Sequence, residues 1–443
     1  RRALLQFQSG QSILESMPDK DMEKNLFLIV NLLNRGSSFI TADNEKRVQL
    51  LTMNLKAGKK AMKSSGFGPA ATYLNICMSL LGDDHWHNEA TLSLDVFSTL
   101  AKAEFCNGNL KEMEKCLDEI FEQNLPIKEK IDAYSVRIHS FYFLKGEPVN
   151  AVDEGLEALS RLGVNFPKKI SKLVHAREII KTKYMMKGLC IMSLSDHPTM
   201  EDENRRIVMN MMEMLLVMTY VSNQALFVLI TLKMAQWSIC YGVSKHSSMA
   251  FACYGVLLCN GMGDAAGGTK FGKVAMSILE RFSAKDMESK VTFVYSFISA
   301  WAEPGYLTHK HFCRGYEVGM QTGDINWAML NLKCSNDMAV YTGKPLSYIE
   351  KECKSCIELM LEYEQKNTIN WLLPILQFVL NLMGCSNDPS VLSGSAMQQE
   401  DLLKHCNENE DRNLRNIITL YRLWAAFYFE EFDLAAMLVQ DIQ

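Results

Sequence analysis

From Leu26 to Leu434, apolar residues keep returning every three to four positions, and short breaks carrying glycine or proline cut that pattern into helix-sized lengths. Val291, Val294, Tyr295, Ile298, Trp301 and Ala302 fall at i, i+3, i+4, i+7, i+10 and i+11, which puts one apolar stripe on a helix. Pro304-Gly305 breaks the run, a second helix follows to Met320, and Thr322-Gly323-Asp324 closes it before a third begins at Ile325. Glycine suits the left-handed residue that ends a helix, and the aspartate carboxylate can accept from the free backbone N–H groups that open the next one. Period-two alternation fails throughout, and β-branched clusters are rare, so no strand pair is expected. The pattern predicts an all-α chain of stacked antiparallel helix hairpins with no sheet.

The breaks recur. Leu94, Phe97, Ala101 and Phe105 make one stripe, Asn107-Gly108-Asn109 a turn, and Leu110, Met113, Leu117, Ile120 and Phe121 the next stripe. After Pro126 the unit repeats, with a turn at Lys145-Gly146-Glu147-Pro148, so the turn glycines Gly108 and Gly146 lie 38 residues apart. That period belongs to the tetratricopeptide and related hairpin arrays, whose repeats run from about 34 to the mid-forties. Their Trp-x-x-Leu-Gly-x-x-Tyr signature is missing, which makes these degenerate repeats. On the same logic Gly36, Gly108, Gly146, Gly163, Pro167, Pro304, Gly305, Gly323, Asp324 and Gly343 are expected at turns and caps rather than at ligands. Gly36 in particular is expected to cap the helix that carries Leu26, Ile29, Val30 and Leu33.

A hydrophobic fraction of 48% with 22% charged residues describes a folded chain with a large core, and a net charge of −5 leaves no footprint for nucleic acid. Lys168, Lys169, Lys172, Arg177, Lys181 and Lys183 form one basic stretch, expected to be a solvated helix face. Thirteen cysteines, scattered through apolar runs, read as reduced thiols of a cytoplasmic protein. No stretch reaches the roughly 18 unbroken apolar residues of a membrane span. The start, Arg1-Arg2-Ala3, lacks an initiating methionine, so a fragment of something longer is expected.

Several local patterns invite a chemical reading. Gly261 to Lys270 is glycine-rich, but a phosphate loop needs Gly-Lys-Ser/Thr after four spacer residues, and here the order is Gly268-Thr269-Lys270 with no strand before it. An inter-helix turn is expected there. Cys353 and Cys356 form a single C-x-x-C without the second pair that zinc requires. His309, His311 and Cys313 offer at most two ligands on one helix face, and His85-Trp86-His87 reads as a helix boundary. The methionines between Met209 and Met218 fit a core stripe better than an adaptable binding groove. No catalytic, cofactor-binding or metal-binding residue is expected, and an enzyme with an unusual site is the least favoured reading.

Asn31-Leu32-Leu33-Asn34-Arg35-Gly36, Leu55-Lys56-Ala57-Gly58-Lys59-Lys60-Ala61 and Gly155-Leu156-Glu157-Ala158-Leu159-Ser160-Arg161-Leu162-Gly163-Val164-Asn165-Phe166-Pro167 carry a family resemblance. Ala300-Trp301, Met320-Gln321-Thr322-Gly323-Asp324 and Gly343-Lys344-Pro345-Leu346 continue it. In order and over nearly the whole chain, these resemble the tetratricopeptide-like helical region of large signalling proteins. Those proteins join a serine/threonine kinase-like domain, an AAA-type (STAND) ATPase, the helical region and often a GAF domain with a histidine kinase. The resemblance implies ATPase-proximal helices at 1–62, helical repeats at 63–385, a loop or linker at 386–396 and further repeats at 397–443. It also implies a non-catalytic segment that couples ATPase and output domains by passing changes of curvature along the stack. ATP and Mg would be bound by the parent's other domains, none by this segment, since no kinase loop, Walker A or phosphoacceptor context is present to map onto. Its partners would be neighbouring domains of the parent chain, or protein and peptide partners. A freestanding tetratricopeptide-type peptide scaffold is the alternative.

Overall fold

Helix N- and C-terminal signals in the sequence translate into a chain that is 79% helical. The computed structural model describes residues 2–37, 43–167, 169–409 and 411–441; Lys168 of the basic stretch therefore lies outside the described residues. Among these there is no strand, only an isolated bridge between Thr199 and Val243. The fold is all-α, built from antiparallel helix hairpins. No helix among the described residues is long and apolar enough to cross a membrane.

The helices fall into two compact units, residues 1–136 and 137–443. The first holds α1 (Arg2–Ser16), α2 (Asp19–Met22), α3 (Leu26–Asn34), α4 (Asn44–Lys63), α5 (Phe67–Leu80), α6 (His85–Asn88), α7 (Ala90–Cys106) and α8 (Leu110–Glu122), and α9 (Ile131–His139) runs over the boundary. Its logic is plainest in α8, where Met113, Cys116, Leu117 and Ile120 are buried while Lys111, Glu112 and Lys115 face solvent. Each of the large apolar side chains there contributes about 2 kcal/mol by leaving water. The α3 to α4 contact adds a reciprocal amide pair, Asn34 with Asn54, at 2.8 Å in both directions. Gly36 is not the cap expected of it: the C-cap of α3 is Arg35, and Gly36 sits one residue later, packed against the Phe7 ring.

The second unit opens with a π-helical turn at Ser140–Leu144 and continues through α10 (Pro148–Arg161), α11 (Lys172–Met186), α12 (Glu203–Ser222), α13 (Gln224–Tyr241) and α14 (Lys245–Val256). It goes on with α15 (Ala265–Phe282), α16 (Lys285–Ser299), α17 (Gly305–Thr322), α18 (Ile325–Tyr341), α19 (Leu346–Glu362) and α20 (Lys366–Leu382). The last helices are α21 (Gln399–Glu408), α22 (Arg412–Tyr428) and α23 (Phe432–Asp441). From α12 to α20 sequential helices pair as hairpins, and each even-numbered helix in that range also packs on the next even-numbered one; from α13 onward the odd-numbered helices do not pack on each other as closely. Helices crowded on one side and splayed on the other make that stack curve, with the even-numbered set inside. The curve brings its ends together. The Asn367 amide on α20 donates to the Phe143 carbonyl at 3.0 Å, joining positions 224 residues apart.

Turn chemistry accounts for the joints. Gly108, Gly146, Gly163, Gly323 and Gly343 all have φ between 68° and 84°, and Gly323 ends α17 in the left-handed conformation. Pro304 is the N-cap of α17 and Gly305 its first residue, while Pro167 lies in the loop before α11. Asp324 occupies the N-cap of α18, but its side chain makes no capping bond. Burial works against the charge of the half-buried Lys290, and Glu213 first and Asp324 after it favour its protonated form. The loop 386–396 is folded against α20: Asn381 donates to the Pro389 and Val391 carbonyls at 3.0 and 2.8 Å, and Leu392 is fully buried.

Candidate functional site

The inward-facing side chains of the even-numbered helices enclose a cavity of about 340 Å³, a size that fits one or a few side chains of a ligand. Helical spacing puts them there. Met249, Cys253, Val256 and Asn260 stand at i, i+4, i+7 and i+11 along α14 and the π-helical turn after it, Phe293, Val294 and Phe297 share one face of α16, and Leu330, Lys333, Cys334 and Asp337 share one face of α18. Leu216, Val217 and Tyr220 of α12 complete one wall. Tyr142, brought in by the closing contact, meets Trp371 and Asn413 at the opposite one. Phe293 is the hub, in edge-to-face contact with Phe297, Phe312 and Trp327 at centroid distances of 5.1 to 6.0 Å. Phe297 and Tyr220 remain 44% and 46% exposed, an unusual share of aromatic surface left open inside a folded unit.

Polar groups are few and mostly committed to one another. Lys333 donates to Asp337 at 2.7 Å, and Asp337 also accepts from the Tyr421 hydroxyl at 2.7 Å. Burial works against the Lys333 charge, but Asp337 together with Cys334 and Tyr341 outweighs it and raises the ammonium's pKa, while burial pushes the Tyr421 hydroxyl far up. The cavity thiols are unreactive: burial raises Cys334 to about 12 and Cys253 further. One turn back along α12, α14 and α16 lies a buried charge cluster. Glu213 accepts from Lys290 at 2.9 Å, and His246 Nδ1 lies 3.4 Å from its other oxygen. Burial opposes the Glu213 charge, yet Lys290 and His246 overcome it and hold the carboxyl at about 2. For His246 burial dominates and lowers its pKa. These groups neutralise each other inside the wall, so the cavity offers apolar surface and aromatic edges rather than acid, base or nucleophile.

The sequence-level candidates do not converge on it. Met209, Met211, Met212, Met214 and Met218 are buried core, and on α12 it is Leu216, Val217, Tyr220 and Val221 that reach the cavity. Cys353 and Cys356 are bridged by Asn336 at 3.5 and 3.4 Å. His309 touches Cys313, whereas His311 turns to Glu303 at 3.0 Å. His85 meets Ser93 at 2.9 Å and stacks on Phe97, and Trp86 donates to Glu119 at 2.7 Å. No metal-holding cluster occurs among the described residues.

Gly261 to Lys270 is only partly the turn expected of it. The turn ends at Asp264, and Ala265 to Lys270 already belong to α15, with the Asp264 carboxylate accepting from the Gly267 N–H at 2.8 Å. The glycines serve helix packing. A Cβ on Gly268 would lie 2.8 Å from the Gly255 carbonyl, so α14 and α15 approach backbone to backbone. Sequence reading missed Phe293, Phe297, Trp327 and Trp371 because their stripe differs from the core stripe by a single position, and only the stacking order reveals which helices face inward.

No family model matches the chain. It is 24% identical over 404 residues to hybrid signal transduction histidine kinase G of Dictyostelium discoideum, an alignment that takes in 81% of this chain. The chain spans 11% of that relative's length. Among solved structures, the crystal structure of a Rap protein complexed with competence and sporulation factor aligns with a TM-score of 0.49 at 12% identity, over 89% of this chain and 96% of that one.

Proposed function

We propose that the chain is a non-catalytic regulatory and interaction segment of a longer signalling protein, and that the inner-face cavity of the second unit receives an apolar or aromatic side chain of a protein or peptide partner. The observation that carries this is the aromatic wall of Phe293, Phe297 and Trp327, left partly open in a cavity whose charges are already paired. The sequence similarity to a signalling histidine kinase, confined to a small part of that protein, supports placing the segment beside the domains that do chemistry. In that reading AAA-type ATPase and kinase domains, with their ATP and Mg, lie elsewhere in the parent, which works in the cytoplasm, and an occupant of the cavity alters how the curved stack couples them. A freestanding peptide scaffold would use the same cavity, and an upstream P-loop ATPase or a downstream GAF or kinase domain in the gene distinguishes the two.

Selection of a displayed peptide library on the chain tests the cavity directly. Enriched peptides should share one large apolar anchor, and Phe297→Asp, at a position 44% exposed, should weaken them about tenfold or more, with circular dichroism reporting that the variant stays folded. Absence of enrichment, or peptides indifferent to Phe297→Asp, would refute the site.

A further inference from the structure

Helix α11 turns an apolar stripe outward. At about 100° per residue, Leu173, Ile180 and Tyr184 fall within about 40° of one another, and Thr182, its one buried residue, points about 180° away. The three stripe residues are 82%, 66% and 77% exposed. Polar bonds on its inward side help hold the helix to the body: Gln236 of α13 donates to Thr182 at 2.9 Å and to Glu178 at 3.1 Å, and His175 Nε2 donates to the Ala225 carbonyl at 2.8 Å. Its principal packing partner is α13. An ordinary surface helix turns its apolar stripe to the core and its polar face to water; this one, besides the half-buried Val174, Ile179, Met185 and Met186 that flank Thr182, carries a second apolar stripe outward.

Basic residues flank the outward stripe on either side. Arg177 and Lys181 lie to one side, where both also reach Glu178, and Lys172 and Lys183 lie to the other, with Lys187 just beyond the helix end. Glu178, the helix's one acidic residue, faces inward to Gln236. We propose that α11 docks on an anionic phospholipid surface, its Leu173, Ile180 and Tyr184 stripe entering the headgroup boundary and its flanking lysines meeting lipid phosphates and carboxylates. The charge pattern selects this occupant. Protein interfaces are depleted in lysine and favour arginine's fixed fork, whereas lysines on both sides of a stripe can extend their stems sideways to a plane of headgroups. A convex ridge packed on one helix also presents itself to a flat surface more readily than to a groove. Apolar insertion with basic flanks is the arrangement of helices that lie in the membrane interface without spanning it.

Cosedimentation of the 443-residue chain with vesicles of phosphatidylcholine containing about 30% phosphatidylserine, against vesicles of phosphatidylcholine alone, tests the proposal. The chain should pellet with the anionic vesicles only, and raising salt from about 50 to about 300 mM should release it. Ile180→Asp, and separately Lys172→Glu with Lys183→Glu, should each cut binding about tenfold or more. Since all three positions are exposed, unchanged thermal midpoints would show that these variants remain folded. Failure to pellet, or pelleting that survives Ile180→Asp, overturns the proposal. So does binding of an acidic amphipathic peptide through the same residues in place of vesicles, which would assign the ridge to a protein partner.

Discussion

Glu213 is the residue on which the inner wall most depends. It is 4% exposed and answers two basic groups, His246 and the half-buried Lys290, that water reaches only in part. Glu213→Gln should therefore cost about 3–5 kcal/mol, because Lys290 stays half-buried with its main carboxylate partner gone. Acid should act through the same cluster. A glutamate held at about 2 against an ordinary 4.5 contributes stability that is complete above 4.5 and disappears as pH falls toward 2. His246 adds to that slope: burial lowers its pKa, so the unfolded chain takes up the proton first, and stability declines as pH drops below the ordinary 6.5. Urea midpoints measured from pH 7 to 3 should fall across this window in the parent chain; in Glu213→Gln the part below 4.5 should flatten while the part that begins near 6.5 remains. None of this was legible in the sequence. Glu213 stands among methionines in an apolar run, and its partners lie 33 and 77 positions away.

Whole helices were legible far more often than their surroundings. The stripe from Val291 to Ile298 predicted the helix now seen as α16, but Trp301 and Ala302, placed on the same stripe, lie in the turn beyond its end at Ser299 with Trp301 58% exposed; the breaks at Pro304-Gly305 and Thr322-Gly323-Asp324 fall at the bounds of α17. Local chemistry sets such boundaries, since φ of +76° at Gly323 is open to glycine at little cost and strained for a side chain. Gly323→Val should destabilise the second unit by about 1 kcal/mol or more, and an unchanged denaturation midpoint would contradict that account. What a helix faces is decided by non-local packing. α11 has good local signals, with Ser171 as N-cap accepting from Val174 at 3.4 Å, yet its basic stretch read as a merely solvated face. The apolar stripe between the lysines was in the sequence, but which side of the helix meets α13 was not.

At the scale of the molecule, the glycine-rich stretch from Gly261 to Lys270 is engaged with its own helix. The amide that a phosphate would need at the start of α15 is occupied by Asp264, and Thr269 bonds its own helix at Ala265. Calorimetric titration of the chain with Mg-ATP should give no saturable heat; a signal abolished by Lys270→Ala would overturn that expectation. The bond from Asn367 to Phe143 has a broader meaning. A stack in which each hairpin touches only its neighbours behaves as a one-dimensional lattice with free ends, and free ends fray. Tying the turn before α10 to α20 imposes a periodic boundary on the lattice. A disturbance entering at one hairpin can then travel round by either arc, and the hairpins between the tied points melt together or not at all.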